Sequence, residues 1–541
     1  MNQPFQLAAR GILPIVLALA TLPAPASASE VRTTAGDEVA QITDLSDLGI
    51  EVIDNQAQLT LEDAIAAALR RNLSLVVERY RRSQTILGIQ EALGIYDFDL
   101  SATGGTSEST SPVTSELQLA DLLTDEGQRL NLSASRLTPF GGTATLDFNN
   151  SRFKTSDQRA IQNPRFDSTL QATFSQPLLR DFGRAVTEQA IVVARTNSAI
   201  SREDFQFQVQ LVVQEIADRY WLLVEAREQL AVAQESLALA EELHEMNRIQ
   251  VEVGTMAPLE MVQSEAGVAT REEEIIRRQA AVEDSADQLR RLVNLDRREL
   301  WNIGIVPVTE PEIEHRPIDV GAAIDTALEY RPDVRRMRLD IRNRELEARV
   351  AKNQARPRLD VQAQFGYSGV GGDVTSPATG DLIPGGYSDA LQQIIDGDFD
   401  GWSLGFSFGY PLRNRAAKAR LAQADLALEQ IDVELRDLEQ QVLADVRQAA
   451  RAVETAAKQI ESAKVSSKLQ RKNLEAERKR YENGLSTSFE VLQIQEDLSE
   501  ARSREVSAVT SYRRALTAYQ LAIGKLLEEN YIELADDGGE G

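Results

Sequence analysis

GTMAPLEMVQ at residues 254–263 and GLSTSFEVLQ at residues 484–493 are one turn written twice. Each copy follows a stretch of 70 residues, 184–253 and 414–483, that holds neither Pro nor an internal Gly. At 1.5 Å per residue such a stretch makes a helix of about 100 Å. Gly254 and Gly484 stand where a left-handed residue ends the helix. Shorter helices, about 259–293 and 488–523, then return toward Asn294 and Gly524, residues that tolerate the same conformation. Two long-plus-short helical hairpins follow from the turn alone.

The duplication extends outward from the turns. Residues 61–105 and 320–364 align without a gap, with Ala64/Ala323, Ile65/Ile324, Ala68/Ala327, Arg79/Arg338 and Leu100/Leu359 identical. FSQPL at 174–178 returns as FGYPL at 408–412. Three echoes in one order mean two structural repeats, each running helix, strands, very long helix, turn, return helix. In the second long helix Leu421, Ala424, Leu428, Ile431, Leu435, Leu438 and Val442 step by three and four. After a four-residue skip the seam resumes at Val446, Ala449, Val453, Ala456 and Ile460. That is coiled-coil spacing with a stutter.

Residues 402–410 read WSLGFSFGY, with every even position large and apolar and every odd one Ser or Gly. Leu359, Val361, Ala363, Phe365 and Tyr367 alternate in the same way, as do Leu170, Ala172 and Phe174. Such strands suit lipid on one face and water on the other, or a half-buried sheet in a soluble sandwich. Residues 104–165 and 368–400 read as Gly/Ser/Thr/Asp-rich hairpin loops. Within the first, the alternating pair 130–137 and 143–148 is either an extracellular hairpin or an extension of the strands. Four strands, or six with that pair, are too few to close a barrel, for which about eight is the floor. An open edge in lipid is forbidden, so the chain is expected to oligomerise.

Composition narrows the function. Sixteen of the 29 aromatic residues fall in 96–182 and 365–410, and the rest of the chain has the Ala/Leu/Glu/Gln/Arg content of long helices. The net charge of −26 makes nucleic acid a poor partner. Residues 1–28 read as a secretory signal with Arg10 ahead of a short apolar run and Ala26-Ser27-Ala28 at its end. Cys is absent and His244 and His315 lie on different elements, so no metal site or cofactor is expected. DGDFDG at 396–401 imitates a calcium loop, but its twelfth position is Ser407, and a solvated turn is the simpler reading. No nucleophile motif, P-loop or dinucleotide fingerprint is present, and an enzyme is not expected. The expected divisions are the signal 1–28, an N-terminal extension 29–58 and repeat one at 59–295. An equatorial linker 296–317, repeat two at 318–526 and an acidic tail 527–541 complete the chain. The fold class is all-α with membrane β.

LTLEDAI at 59–65, SQPLLRDFG at 175–183, YENG at 481–484 and FEVLQ at 489–493, in this order within a duplicated frame, resemble the TolC family of outer-membrane efflux and secretion channels. The resemblance spans residues 58–527. It implies a homotrimer with a twelve-stranded β-barrel in outer-membrane lipid and a periplasmic α-barrel about 100 Å long. It also implies a closed tip that meets a periplasmic adaptor and an inner-membrane pump of the RND or ABC type, for efflux or type I secretion. By the same resemblance Tyr481 and Glu490 match the family's tip closure, with Gln493 at its second acidic position. Val251, Glu260 and Gln263 are their repeat-one counterparts. Gly254, Thr255, Gly484, Leu485 and Ser486 become the adaptor-facing turns. The simpler alternatives are solvated tip glutamates and a Tyr481 packed between helices. Rival readings of the whole chain are a periplasmic adaptor, which has one hairpin rather than two, and a coiled-coil surface adhesin or scaffold.

Overall fold

A computed structural model of the chain describes residues 51–53, 56–112, 122–294, 301–313, 317–376 and 379–534. The signal 1–28, most of the extension, parts of the linker and residues 535–541 of the tail lie outside the described residues.

The first half of the chain begins with β1 (Glu51–Ile53) and β2 (Gln56–Leu59), then α1 (Leu61–Arg71) and α2 (Leu73–Leu93). Thr60 and Asp63 form a capping box, Thr60 Oγ1 accepting from the Asp63 N–H at 3.0 Å. The first helix of repeat one is broken at Asn72, whose side chain accepts from the Ser74 N–H and caps α2. Four long strands follow: β3 (Asp99–Pro112), β4 (Leu122–Leu137), β5 (Thr143–Thr155) and β6 (Gln162–Pro177). The short α3 (Arg184–Thr187) leads into α4 (Gln189–Glu252), and α5 (Pro258–Val293) returns from the turn.

In the second half β7 (Gly304–Pro307) precedes α6 (Val320–Tyr330) and α7 (Pro332–Gln354), split at Arg331, which the constant offset of 259 places opposite Asn72. Then come β8 (Arg358–Thr375), β9 (Leu382–Ile383), α8 (Tyr387–Asp396) and β10 (Asp400–Gly409). The 68-residue α9 (Arg415–Glu482), α10 (Ser488–Ala522) and α11 (Leu526–Glu529) close the chain. Gly254, Asn294, Gly484 and Gly524 all have the positive φ that their positions required. Residues 396–401 end α8 and start β10, with Gly397 left-handed, so the calcium-like string is a turn between two elements.

The sheet order β10-β8-β6-β5-β4-β3 is antiparallel throughout. One row of directly opposed residues reads Leu100, Ala134, Leu146, Ala172, Phe365, Trp402 across all six strands. The next row, on the other face, reads Ser101, Ser133, Asp147, Gln171, Gly366, Gly401. Because side chains alternate, the face carrying the first row is apolar there and in the row Ala102, Leu132, Phe148, Leu170, Tyr367, and turns polar beyond it at Asn150 and Ser168. The residues read as loops at 104–165 and 368–400 are therefore largely strand. Of the two counts left open, four or six, the sheet has six long strands, because 122–155 pairs on both sides, and the two-residue β9 adds a short partner to β8.

Among the described residues the helices pack around four buried clusters. Tyr220 and Trp221 of α4, both 0% exposed, anchor a core with α1, α5 and Leu526. The Tyr220 hydroxyl donates to the Leu59 carbonyl and accepts from the Thr309 N–H, each at 3.0 Å. It thereby joins α4 to the small sheet in which β2 pairs with β7 in parallel. The acidic tail as bounded thus begins at a core residue, since Leu527 packs in the same cluster. Farther down α9, Val446, Ala450, Val453, Ala456 and Ile460 are buried. Ala450 takes the seam place expected of Ala449, which extends the stutter by one step.

Candidate functional site

Both hairpins end in the same turn. The Thr255 N–H reaches back to the Gln250 carbonyl and the Leu485 N–H to the Arg480 carbonyl, each at 2.9 Å, around left-handed Gly254 and Gly484. Gly254, Thr255, Gly484 and Leu485 are exposed there and Ser486 is half-buried. The turns differ at the start of the return helix. In repeat two Thr487 caps α10, and Glu490 completes a capping box. Glu490 accepts from the Thr487 N–H at 3.0 Å and the Ser486 hydroxyl at 2.8 Å. The Thr487 N–H, then the Ser486 hydroxyl, hold the Glu490 carboxyl below the usual range.

In repeat one the position of Thr487 is taken by Ala257, which has no hydroxyl, and α5 starts without a side-chain cap. The counterpart carboxylate, Glu260, is released from that duty and accepts from the Ser488 hydroxyl of the other hairpin. Glu260 and Glu490 therefore do different things. One links the two hairpins; the other stabilises its own helix end. Gln263 is half-buried and Gln493 exposed on the outer turns of the return helices.

Tyr481 is 5% exposed and sits in a cluster with Leu243, Leu474, Val491 and Leu498. Its hydroxyl donates to the Asn247 side-chain oxygen and lies 3.7 Å from the Met256 sulfur. Burial first, and the nearby Glu260 second, push the phenol up to about 12, so it remains a neutral donor. Its counterpart Val251 is half-buried and has no hydroxyl to offer.

Three tip residues were not singled out from sequence. Asn247, 0% exposed, receives the Tyr481 bond and donates to the Glu260 carbonyl at 3.4 Å. Glu477, its counterpart in repeat two, accepts from the Ser486 hydroxyl at 2.5 Å. Ser488 is the donor to Glu260. A signal for Asn247 existed: the apolar steps Leu230, Ala233, Leu237 and Ala240 run on through Leu243 to an amide, a polar residue at a seam position. Higher up, α4 and α10 remain joined by polar groups, with Gln495 donating to the Leu239 carbonyl and the Ser507 and Thr510 hydroxyls to Glu225. At this tip the two hairpins are joined by hydrogen bonds. Among the described residues no group of His, Cys, Asp or Glu could hold a metal ion.

The model of the family described as outer membrane efflux protein matches residues 140–295 and 323–525. The chain belongs to that family. It is a member of the TolC-type outer-membrane channels, as the order of its motifs implied. No curated protein matches it. Among solved structures it is similar to the CmeC outer membrane channel of Campylobacter jejuni, at 15% identity and a TM-score of 0.61, over 89% of this chain and 87% of that one. The outer membrane protein VceC of Vibrio cholerae matches at 17% identity and a TM-score of 0.60, over 86% and 96%. The open state of the Neisseria gonorrhoeae MtrE channel matches at 16% identity and 0.59, over 86% and 89%. At these identities the likeness is one of fold, and it covers both the strands and the helices.

Proposed function

We propose that three copies of this family member form a passive conduit from the periplasm through the outer membrane of a Gram-negative cell. A periplasmic adaptor would meet its tip, and an inner-membrane pump would supply the energy. The observation that carries the reading is the two-faced sheet. An apolar row and a polar row run side by side across six strands, and the same chain continues into helices about 100 Å long. A sheet that is apolar on one face and polar on the other separates lipid from water. Its test is fractionation followed by reconstitution. The expected outcome is a heat-modifiable trimer in the outer membrane that conducts ions in a planar bilayer; a soluble periplasmic monomer sinks the proposal.

The division into two repeats, linker and tail belongs to the same proposal, as does the tip as gate. Tyr481 would latch repeat two to repeat one through Asn247, with Glu260 and Ser488 as a second tie. Gln263, Gln493 and the Glu490 cap would line the mouth below. Tyr481→Phe leaves the buried Asn247 side-chain oxygen without its donor, at a cost of about 1–3 kcal/mol. Conductance at the closed tip is expected to rise several-fold or more in single-channel recordings. Unchanged conductance would remove Tyr481 from the gate.

Gly254, Thr255, Gly484, Leu485 and Ser486 would be the adaptor-facing surface. Since the chain has no native Cys, Thr255→Cys and Leu485→Cys give clean cross-linking positions at the two exposed turns. Each is expected to capture a periplasmic partner in cells. Failure at both turns would contradict the tripartite part of the reading.

A further inference from the structure

We infer that the membrane barrel has eighteen strands, six from each of three copies, closed where β10 of one copy pairs antiparallel with β3 of the next. The inference rests on the trimeric reading above and departs from the twelve strands implied by family resemblance.

The added pair is β4 and β5. These strands are 16 and 13 residues long, against 14 for β3 and 16 for β6, and crossing a membrane as a strand takes about 9–11. Their connection, 138–142, lies at the level where strands hand over to helices. The Gly183 N–H and the Gln176 side chain both donate to the Phe140 carbonyl, at 3.3 and 3.1 Å. Arg136 donates to the Tyr96 carbonyl at 2.9 Å. A Cβ on Gly141 would meet the Asp181 carbonyl oxygen at 2.4 Å, so the turn is seated against the β6–α3 junction. β4 and β5 therefore travel the same height as their neighbours.

They also share the faces of the sheet. Leu132 and Phe148 stand between Ala102 on one side and Leu170 on the other, while Asn131 and Asn149 lie on the polar face. An extracellular flap in water would have no use for this apolar stretch, which gives way on the same face to Asn150, Glu126, Arg152 and Lys154 toward the opposite loop.

Among the described residues β3 and β10 each pair on one flank only, and every residue of both is exposed. In lipid those bare ladders would cost several kcal/mol per unpaired group. Six strands are below the number that closes alone. Strand direction alternates along the six, so β10 runs opposite to β3 and the two edges fit as an antiparallel pair. The apolar face that carries Trp402 then continues onto the face of β3 that carries Leu100 in the next copy, with the stagger that strand tilt requires. With strands about 4.8 Å apart and tilted about 40°, twelve give a backbone diameter of about 24 Å and eighteen about 36 Å. An eighteen-stranded barrel leaves an aqueous channel. The constriction of this conduit is then at the helical tip alone.

Two measurements test it on the full chain in cells. Double variants combining Ser101→Cys or Thr103→Cys on β3 with Ser403→Cys or Ser407→Cys on β10 place thiols on the polar face, where oxidation is accessible. At least one combination is expected to give a covalent ladder that ends at three chains. Phe140→Cys is expected to resist an impermeant maleimide in intact cells and to react once the outer membrane is permeabilised. Arg159→Cys, in the opposite loop, is expected to react from outside. A ladder that ends at two chains would mean twelve strands from two copies and overturns the inference. So does a Phe140→Cys labelled from outside, or an outer-membrane trimer that yields no ladder in any combination. Those last two leave the conduit standing; absence of any outer-membrane oligomer removes both.

Discussion

Leu404→Arg is expected to cost about 2–4 kcal/mol of barrel stability, and Ser403→Arg, one residue away, close to nothing. Leu404 stands on the apolar face beside Ala363, with Trp402 and Phe406 as its neighbours along the strand. An arginine there must be taken into hydrocarbon or drag water with it. Ser403 is on the polar face, its hydroxyl donating to the Gln364 side chain at 3.1 Å, and an arginine there enters the lumen. The readouts are the yield and urea resistance of the oligomer for the first variant. For the second, the reversal potential in a planar bilayer is expected to move toward anion preference. Equal tolerance of the two substitutions would mean that the faces are not lipid and water, and the reading of the sheet as a membrane barrel would fall.

Trp221→Ala is expected to be the most damaging single change in the helices, at about 3–5 kcal/mol. The indole is 0% exposed and packs edge-on to Tyr220 at 5.5 Å between ring centres. The Arg513 guanidinium lies 5.0 Å over its ring, and burial lowers the pKa of that arginine, so the ring face helps to hold a charge that has left water. Removing the ring opens a cavity and strips the cation at once. Trp221→Phe keeps an aromatic face and is expected to retain most of the stability. Thermal unfolding followed by far-UV circular dichroism separates the two variants. A Trp221→Ala protein that melts with the parent would show that the junction of α4 with the β2–β7 sheet does not set the stability of the helical part.

The helices were legible because their signals are local. A capping box at Thr60, Gly at 254 and 484, and the three-four spacing of Leu428, Ile431 and Leu435 each act within a turn or two of chain. The breaks at Asn72 and Arg331 escaped because their apolar spacing continues across them. Strands were harder. WSLGFSFGY shows its alternation in nine residues, whereas 104–112 is Gly, Ser, Thr and Glu on both faces and reads as a loop. Its backbone is held by β4, and a ladder partner is not visible in the strand that needs it.

The tip shows the same division at the scale of single side chains. Tyr481, Glu490 and Glu260 were found by position, but position made Glu260 and Glu490 equivalents. The structure separates them, because Thr487 engages one and Ala257 leaves the other to Ser488 across the hairpins. By itself the sequence determined the duplication, the helix lengths, the turns and the two-faced strands, since each is written in residues near one another along the chain. Only the tertiary structure decided that six strands rather than four join one sheet, and that Tyr481 meets Asn247. Both depend on partners far away in sequence, where hydrogen bonds between facing backbones and side chains, and not local propensity, choose the neighbour.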